Sequence, residues 1–102
     1  WTALTTELGG ESVAGGKMKS TSGWSSDGNG TNSSGFSGLP GGLRSGYFGT
    51  FYYEGFYGDW WSASPNGTSN AWGRKLASDN DDVYRYHDLQ RNGQSVRCLR
   101  DE

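Results

Sequence analysis

The side chains with the most reactive types lie in the second half of the chain. Glu54, Asp59 and Asp88 are the carboxylates from which an acid/base pair for glycoside hydrolysis could be drawn, His87 is the one histidine, and Cys98 is the one cysteine. A working carboxylate pair needs unequal environments, with one member buried and raised in pKa. Nothing in the sequence around these three supplies that asymmetry. A thiolate nucleophile needs a base within reach, and no local feature pairs His87 with Cys98. "DGNGTN", Asp27 to Asn32, sets oxygen ligands at alternate positions as a calcium loop would. The bidentate Glu that closes an EF-hand would fall where Gly38 stands. "SDNDD", Ser78 to Asp82, could gather Asp79 and Asp81 around calcium, but it reads first as an exposed acidic turn. No His/Cys set has zinc spacing, and neither "AGGK" nor "LPGGLR" has the length of a phosphate loop. The expectation is a protein that is not an enzyme and uses no cofactor or metal.

What remains is aromatic. "RSGYFGTFYYEGFYGDWWSAS", Arg44 to Ser64, holds nine of the fifteen aromatic residues of the chain, broken by glycines. Phe51 and the Trp60-Trp61 pair, beside small Ser62 and Ala63, are the expected core members. A backbone interrupted at Gly46, Gly49, Gly55 and Gly58 cannot bury all the others, and buried tyrosine hydroxyls need partners. Clustered Tyr with Ser, Gly and Asp is the composition of antibody paratopes, because Tyr gives large rigid contact area at low entropic cost. The candidate ligand-binding residues here are Tyr47, Tyr52, Tyr53, Phe56, Tyr57 and Asp59. A second aromatic run, "DVYRYHDLQ", adds Tyr84, Tyr86, His87 and Asp88.

The elements that must position these residues are modest. At 102 residues the chain is one domain or part of one, expected to have a single core. Hydrophobic residues make up 31% against 18 glycines, so aromatic rings must supply much of the core. A net charge of −2 lacks the basic stripe that nucleic acids or anionic membrane surfaces require. No apolar run approaches the roughly 20 residues needed to cross a bilayer. Trp1, Leu4 and Leu8 have helical spacing, with Gly9-Gly10 as the stop. Ser20 to Gly35 is a long polar loop anchored by Trp24. Phe36 and Leu39 are expected inside, around a type II turn at Pro40-Gly41-Gly42. Asn92-Gly93 predicts a C-terminal hairpin whose second strand, with Val96 and Cys98 on one face, is covered. Cys98 is read as a buried small hydrophobe or as the partner of a cysteine upstream of Trp1. The sequons at Asn29, Asn32 and Asn66 are expected to be unmodified. The fold class is α+β, loop-rich, with short antiparallel strands.

Taken together, "LGG…AGGKMKS", "GTNSSGFSGLPGGLR", "GDWWSAS", "AWGRKL" and "SVRCLRD" resemble, in order and over most of the chain, the Fibrobacter succinogenes major paralogous domain. That resemblance implies a C-type-lectin-like fold on a bacterial surface. Members of the family carry a further N-terminal portion ahead of the position of Trp1. Residues 1–102 therefore look like the C-terminal part of one such domain, with Cys98 separated from a partner. The pattern is also similar to variable proteins of diversity-generating retroelements, in which adenines of AAC-type codons are rewritten. Such codons can yield Asn, Tyr, Ser, Asp, Gly, Thr, His or Phe, among others, but never Trp, Lys, Glu, Gln or Met. Ser45, Gly46, Tyr47, Phe48, Thr50, Tyr52, Tyr53, Phe56, Tyr57 and Asp59 fit that set, as do Gly73, Tyr84, Tyr86, His87 and Asp88.

The reading that follows is a non-catalytic binding module, extracellular, on a bacterial cell surface or a phage virion, gripping a surface protein or glycan through its tyrosines. The late strands of a lectin-like fold would bring Tyr84, Tyr86 and His87 beside the loop from Tyr52 to Asp59. The alternative is a packing domain of a pilus, fibre or large surface assembly, whose tyrosines meet neighbouring subunits. An enzyme related to the formylglycine-generating sulfatase modifiers would need a cysteine pair, and the chain has Cys98 alone.

Overall fold

A computed structural model describes residues 1–100; Asp101, the last residue of the "SVRCLRD" match, and Glu102 lie outside them. Helix α1 spans Thr2–Glu7, and Trp1, Leu4 and Leu8 turn toward the core as their spacing predicts. Gly9 and Gly10 end it with φ of 109° and 102°, a left-handed backbone that a side chain would resist. A second helix, α2, spans Ala14–Met18. Its sequence, AGGKM, is too short and too rich in glycine to show a period. Gly15 is required there by contact, since a Cβ would lie 2.5 Å from the carbonyl oxygens of Asp81 and Asp82.

Two small antiparallel sheets follow. Strands β1, Leu43–Arg44, and β2, Phe51–Tyr52, form a two-stranded ribbon. Strands β3, Tyr57–Asn66, β4, Asn70–Ala77, and β5, Val83–Leu89, form a three-stranded sheet in the order β3-β4-β5. Two short helices on an antiparallel sheet make the molecule α+β. Side chains alternate across a strand and partners in register share a face. Trp60, Leu76 and Val83 thus lie together on one face, where they join Ala14, Met18, Trp24 and Phe36 in the core. The rings of Trp1, Phe36 and Trp60 meet at centroid distances of 5.4 to 6.4 Å. Such pairs each add about 0.5–1.5 kcal/mol beyond area burial, which lets three rings do the work of a larger aliphatic core.

The polar loop is pinned from inside. The Trp24 indole N–H points at Ser20 Oγ and the Gly38 carbonyl, both at 3.1 Å. Lys19, also buried, donates to the carbonyls of Ala77 at 3.0 Å and Asn80 at 2.9 Å, and its ammonium lies 3.8 Å from Asp81. The Ser78 to Asp82 turn is therefore held by a lysine. Among the described residues, no group of three or more His, Cys, Asp and Glu side chains is arranged to hold a metal.

Several expectations fail, each for a local reason. The Asn-Gly that makes a sheet hairpin is Asn66-Gly67, with Gly67 at φ 74°, joining β3 to β4. Asn92 and Gly93 have no positive φ; Gly93 exchanges both backbone hydrogen bonds with Arg44, at 2.8 Å each. The last segment then leaves β5 and reaches the far edge of the sheet, where Ser95 takes the Asp59 carbonyl and gives its own to Trp61 N–H. Val96 and Cys98 are exposed and unpaired in any strand. Arg97 between them is exposed as well, but its guanidinium lies over the Phe36 ring at 4.8 Å and donates to the Phe36 carbonyl at 2.7 Å. Leu39 is exposed because its carbonyl, not its side chain, faces Gly58. No type II turn forms at Pro40: Gly41 N–H bonds back to Leu39, and the positive φ falls on Gly42. Phe51 is exposed on the two-stranded ribbon, outside the core cluster, with the Arg44 guanidinium 5.9 Å from its ring.

A tyrosine-rich sheet face

The face of the three-stranded sheet turned away from the core carries Tyr57, Asp59 and Trp61 from β3, Lys75 from β4, and Tyr84, Tyr86 and Asp88 from β5. Lys75 ties the two aromatic runs together. Its Nζ lies 4.9 Å from the Tyr57 ring and 4.9 Å from the Tyr86 ring, a cation between two π faces. Tyr53 packs edge-on against Tyr57 at 5.1 Å, and Tyr52 lies beside Tyr53 at 5.9 Å. Tyr52, Tyr53, Tyr57, Lys75 and Tyr86 thus form one continuous surface. The expected meeting of the two runs occurs for these tyrosines.

Beside this ladder, Tyr57, Lys75, Asp79, Asn80, Tyr84 and Tyr86 line an open cleft of about 360 Å³. Asn80 donates to the Tyr84 hydroxyl at 2.8 Å, which fixes the outer wall. Rings and convergent polar groups in one concavity are the ordinary makings of a ligand site. Tyr53 has a φ of 69°. For a bulky side chain that region is an outlier, and such strain persists only where the surroundings over-determine it. The surroundings do so here: the Tyr53 carbonyl accepts from the amides of both Phe56 and Tyr57, at 2.9 and 3.0 Å. Phe56 is exposed on the same turn.

Other predicted site residues fall elsewhere. Tyr47 and Phe48 are exposed on the loop between β1 and β2, with the Arg91 guanidinium 4.1 Å above the Tyr47 ring and donating to its hydroxyl at 3.1 Å. His87 sits on the opposite sheet face, 5.3 Å edge-on to Trp72, where Arg85 covers the same indole at 3.8 Å. It follows Val83 and Arg85 in parity, so it cannot join Tyr84 and Tyr86. Asp59 points to the tyrosine face but is fully buried, so it does not touch a ligand directly. Glu54, the other carboxylate of that run, is exposed.

Asp59 lies in a hydrogen-bonded row. Tyr86 Oη is 2.9 Å from Asp59 Oδ1 and 2.8 Å from Gln94 Oε1, and Gln94 Nε2 donates to Asp88 Oδ2 at 3.1 Å. Asp59 Oδ2 has no hydrogen-bond partner among the described residues. Burial pushes the Asp59 carboxyl above the ordinary carboxylate range, against the opposing pull of the Tyr86 hydrogen bond and the Lys75 charge, and with Asp88 adding to the rise. The Tyr86 phenol is raised well above its ordinary value, first by burial and then by the charge of Asp59. Lys75, Asn80 and Gln94 are members of this face that sequence reasoning missed. For Lys75 the signal was the alternation of "NAWGRKLA", which as a strand puts Lys75 on the side opposite Trp72, Arg74 and Leu76.

A family model described as the Fibrobacter succinogenes major domain matches residues 1–100. No curated protein and no solved structure matches the chain.

Proposed function

The chain belongs to the Fibrobacter succinogenes major domain family, and we propose that it is a non-catalytic binding module that grips a protein or glycan through the tyrosine face. The observation that carries this reading is the exposure of rings where burial was available to others. Tyr52, Tyr53, Phe56 and Tyr84 stand 40 to 52% exposed, Tyr84 in the wall of the cleft and the others on the strand and turn that lead to Tyr57, one of them on strained backbone. Aromatic rings with polar neighbours serve equally as stacking platforms for sugars and as hot spots for proteins. Extracellular placement on a bacterial surface or a phage virion, and a C-type-lectin-like fold, are part of the proposal and rest on the family resemblance. Diversification belongs to it too. Of the adenine-reachable positions, Tyr47, Phe48, Thr50, Tyr52, Tyr53, Phe56 and Tyr84 are exposed, so their replacement would leave the core untouched. Against catalysis stands the burial of Asp59, which no substrate could reach.

The test is to compare the chain with a Tyr52→Ser, Tyr53→Ser, Phe56→Ser, Tyr84→Ser variant on arrays of bacterial-surface glycans and proteins. Retained fold with a loss of at least about tenfold in affinity supports the reading, as each hot-spot ring is worth about 1.4 kcal/mol or more. Equal binding by both proteins overturns it.

A second reading, a packing domain in a pilus or fibre, is favoured by exposed apolar residues away from the cleft: Leu39, Phe51, Val96 and Leu99. It expects self-association, measured by sedimentation over a range of concentration, and loses its ground if the chain stays monomeric.

A further inference from the structure

The row joining Asp59, Tyr86, Gln94 and Asp88 has three contacts and too few protons. A phenol hydroxyl carries one hydrogen, and a glutamine amide offers hydrogens only from its nitrogen. With Gln94 oriented as found, its Nε2 supplies the contact to Asp88, and Tyr86 can supply either the contact to Asp59 or that to Gln94 Oε1. One pair of acceptors is left facing without a hydrogen. Turning the Gln94 amide over does not help. Its nitrogen then serves Tyr86 and Tyr86 serves Asp59, but an amide oxygen meets Asp88 Oδ2. Either way, with both carboxylates ionised, one contact of the three is repulsive.

We infer that Asp59 and Asp88 hold one extra proton between them through Tyr86 and Gln94, and that this shared proton sets the shape of the tyrosine face, making ligand capture there pH-dependent. The inference rests on the binding role proposed for that face. Burial assigns the proton to Asp59, which is fully enclosed, whereas Asp88 is half-exposed. Protonated Asp59 donates to Tyr86, Tyr86 donates to Gln94 Oε1, and Gln94 donates to Asp88, so each contact has its hydrogen. The orphaned Asp59 Oδ2 is then a neutral carbonyl-type oxygen, which costs less to leave unpaired than a charged one. The charged and titratable neighbours are Lys75 on β4, Tyr57 on β3, and Tyr84, Tyr86 and Asp88 on β5. Lys75 pulls toward ionised Asp59 and Asp88 pushes against it, which makes the proton releasable rather than permanent.

Gln94 translates the proton into shape. It precedes Ser95, whose backbone is stitched to Asp59 and Trp61 at 2.9 and 3.0 Å, so the segment crosses the face as a strap. When Asp59 ionises, Tyr86 turns its hydrogen to the new charge and Gln94 Oε1 loses its donor. The strap then keeps its backbone bonds and the Gln94–Asp88 bond but loses its tie to Tyr86, and the Tyr86 wall of the cleft is free to shift.

The experiment is a carbon-13 NMR titration of the side-chain carboxyls of the whole chain, with no ligand present. The expected result is that the Asp59 carboxyl stays protonated well above the ordinary range near 3.9. Gln94 side-chain amide exchange should rise as that step is crossed. Asp59→Asn, which supplies a permanent donor to Tyr86, should hold Gln94 amide exchange constant across that pH range. Ionised shifts for both carboxyls at about pH 5, with Gln94 unchanged, overturn the inference; because the wild-type titration decides this, failure of the variant to fold does not. The arrays used for the binding reading are then repeated on either side of the step. A ligand bound equally at both pH values overturns the coupling while leaving the binding role intact, and absence of any ligand removes the binding role while leaving the shared proton intact.

Discussion

Replacing Tyr53 by Gly separates a residue kept for packing from one kept for contact. Its φ of 69° lies in the left-handed region, which costs an L residue about 1–2 kcal/mol. Gly removes that cost but loses more freedom on folding, about 0.5–1 kcal/mol. The ring also gives up its edge contact with Tyr57 at 5.1 Å and its tilted contact with Tyr52 at 5.9 Å, of which a well-formed aromatic pair is worth about 0.5–1.5 kcal/mol. The ring is 52% exposed, so little further burial is at stake. These terms nearly cancel, and Tyr53→Gly should change stability by no more than about 1 kcal/mol in urea denaturation with the m-value unaltered. Affinity for an array-identified ligand should fall by at least about tenfold in the same protein. A stability loss above about 2 kcal/mol would show that the ring is structural. Unchanged stability with unchanged binding would show that the strain serves neither purpose proposed for it.

Two further substitutions examine the scaffold. Gly58→Ala should destabilise by about 1–3 kcal/mol, because a Cβ there would stand 2.4 Å from the Trp60 ring and 2.8 Å from the Leu39 carbonyl; near-UV circular dichroism of Trp60 reports the disturbance. Lys19→Met should cost about 1–3 kcal/mol by leaving the Ala77 and Asn80 carbonyls without their donor. Burial holds the Lys19 ammonium below its ordinary 10.5, against the opposing charge of Asp81. Between the folded value and 10.5 the unfolded chain binds more protons, so Lys19 makes stability rise with pH across that window. The methionine variant should lack that rise in alkaline denaturation curves. Asp59 has the opposite sign. Its folded value lies above the unfolded 3.8, so its contribution is full below 3.8 and is lost as pH rises through the folded value.

Much of the frame was legible in the chain because it rests on local signals. The spacing of Trp1, Leu4 and Leu8 and the stop at Gly9-Gly10 specify α1 without tertiary help. Trp24 as sole anchor of a polar loop, and Phe36 and Trp60 as core, followed from the scarcity of other apolar residues. The C-terminal segment was not legible, because Asn-Gly occurs three times, at Asn29, Asn66 and Asn92, and only the Asn66 copy turns a hairpin. Gly67 has strand partners on both sides at Pro65 and Ala71, whereas Gly93 is claimed by Arg44, nearly fifty residues earlier. Local turn chemistry cannot foresee that competition. The alternation of Val96 and Cys98 suggested an apolar inner face, yet the segment lies exposed on both sides and touches the core through the cation–π contact of Arg97 with Phe36. For the site, the tyrosines could be named from composition. Lys75 and Gln94 could not, since their roles exist only once β4 and the last segment lie against the same sheet face.

The arrangement also explains how so few aliphatic residues sustain so many exposed rings. Contacts that fix the fold are made by backbone and by buried side chains: the amides around Gly15 and Asp81, the Lys19 ammonium on two carbonyls, the three-ring cluster at Trp60. The exposed residues at the tyrosine turn make almost none of them. Tyr53 contributes its carbonyl to that turn but not its ring, and Tyr52 meets β1 through its backbone. Side chains at those positions can therefore change with little effect on the core, since mutations without shared partners act nearly independently. Asp59 is the exception, because a buried carboxyl couples the face to the scaffold. Substituting Asp59 should therefore alter both stability and the set of ligands bound, whereas substituting Tyr52 or Phe56 should alter the ligands alone.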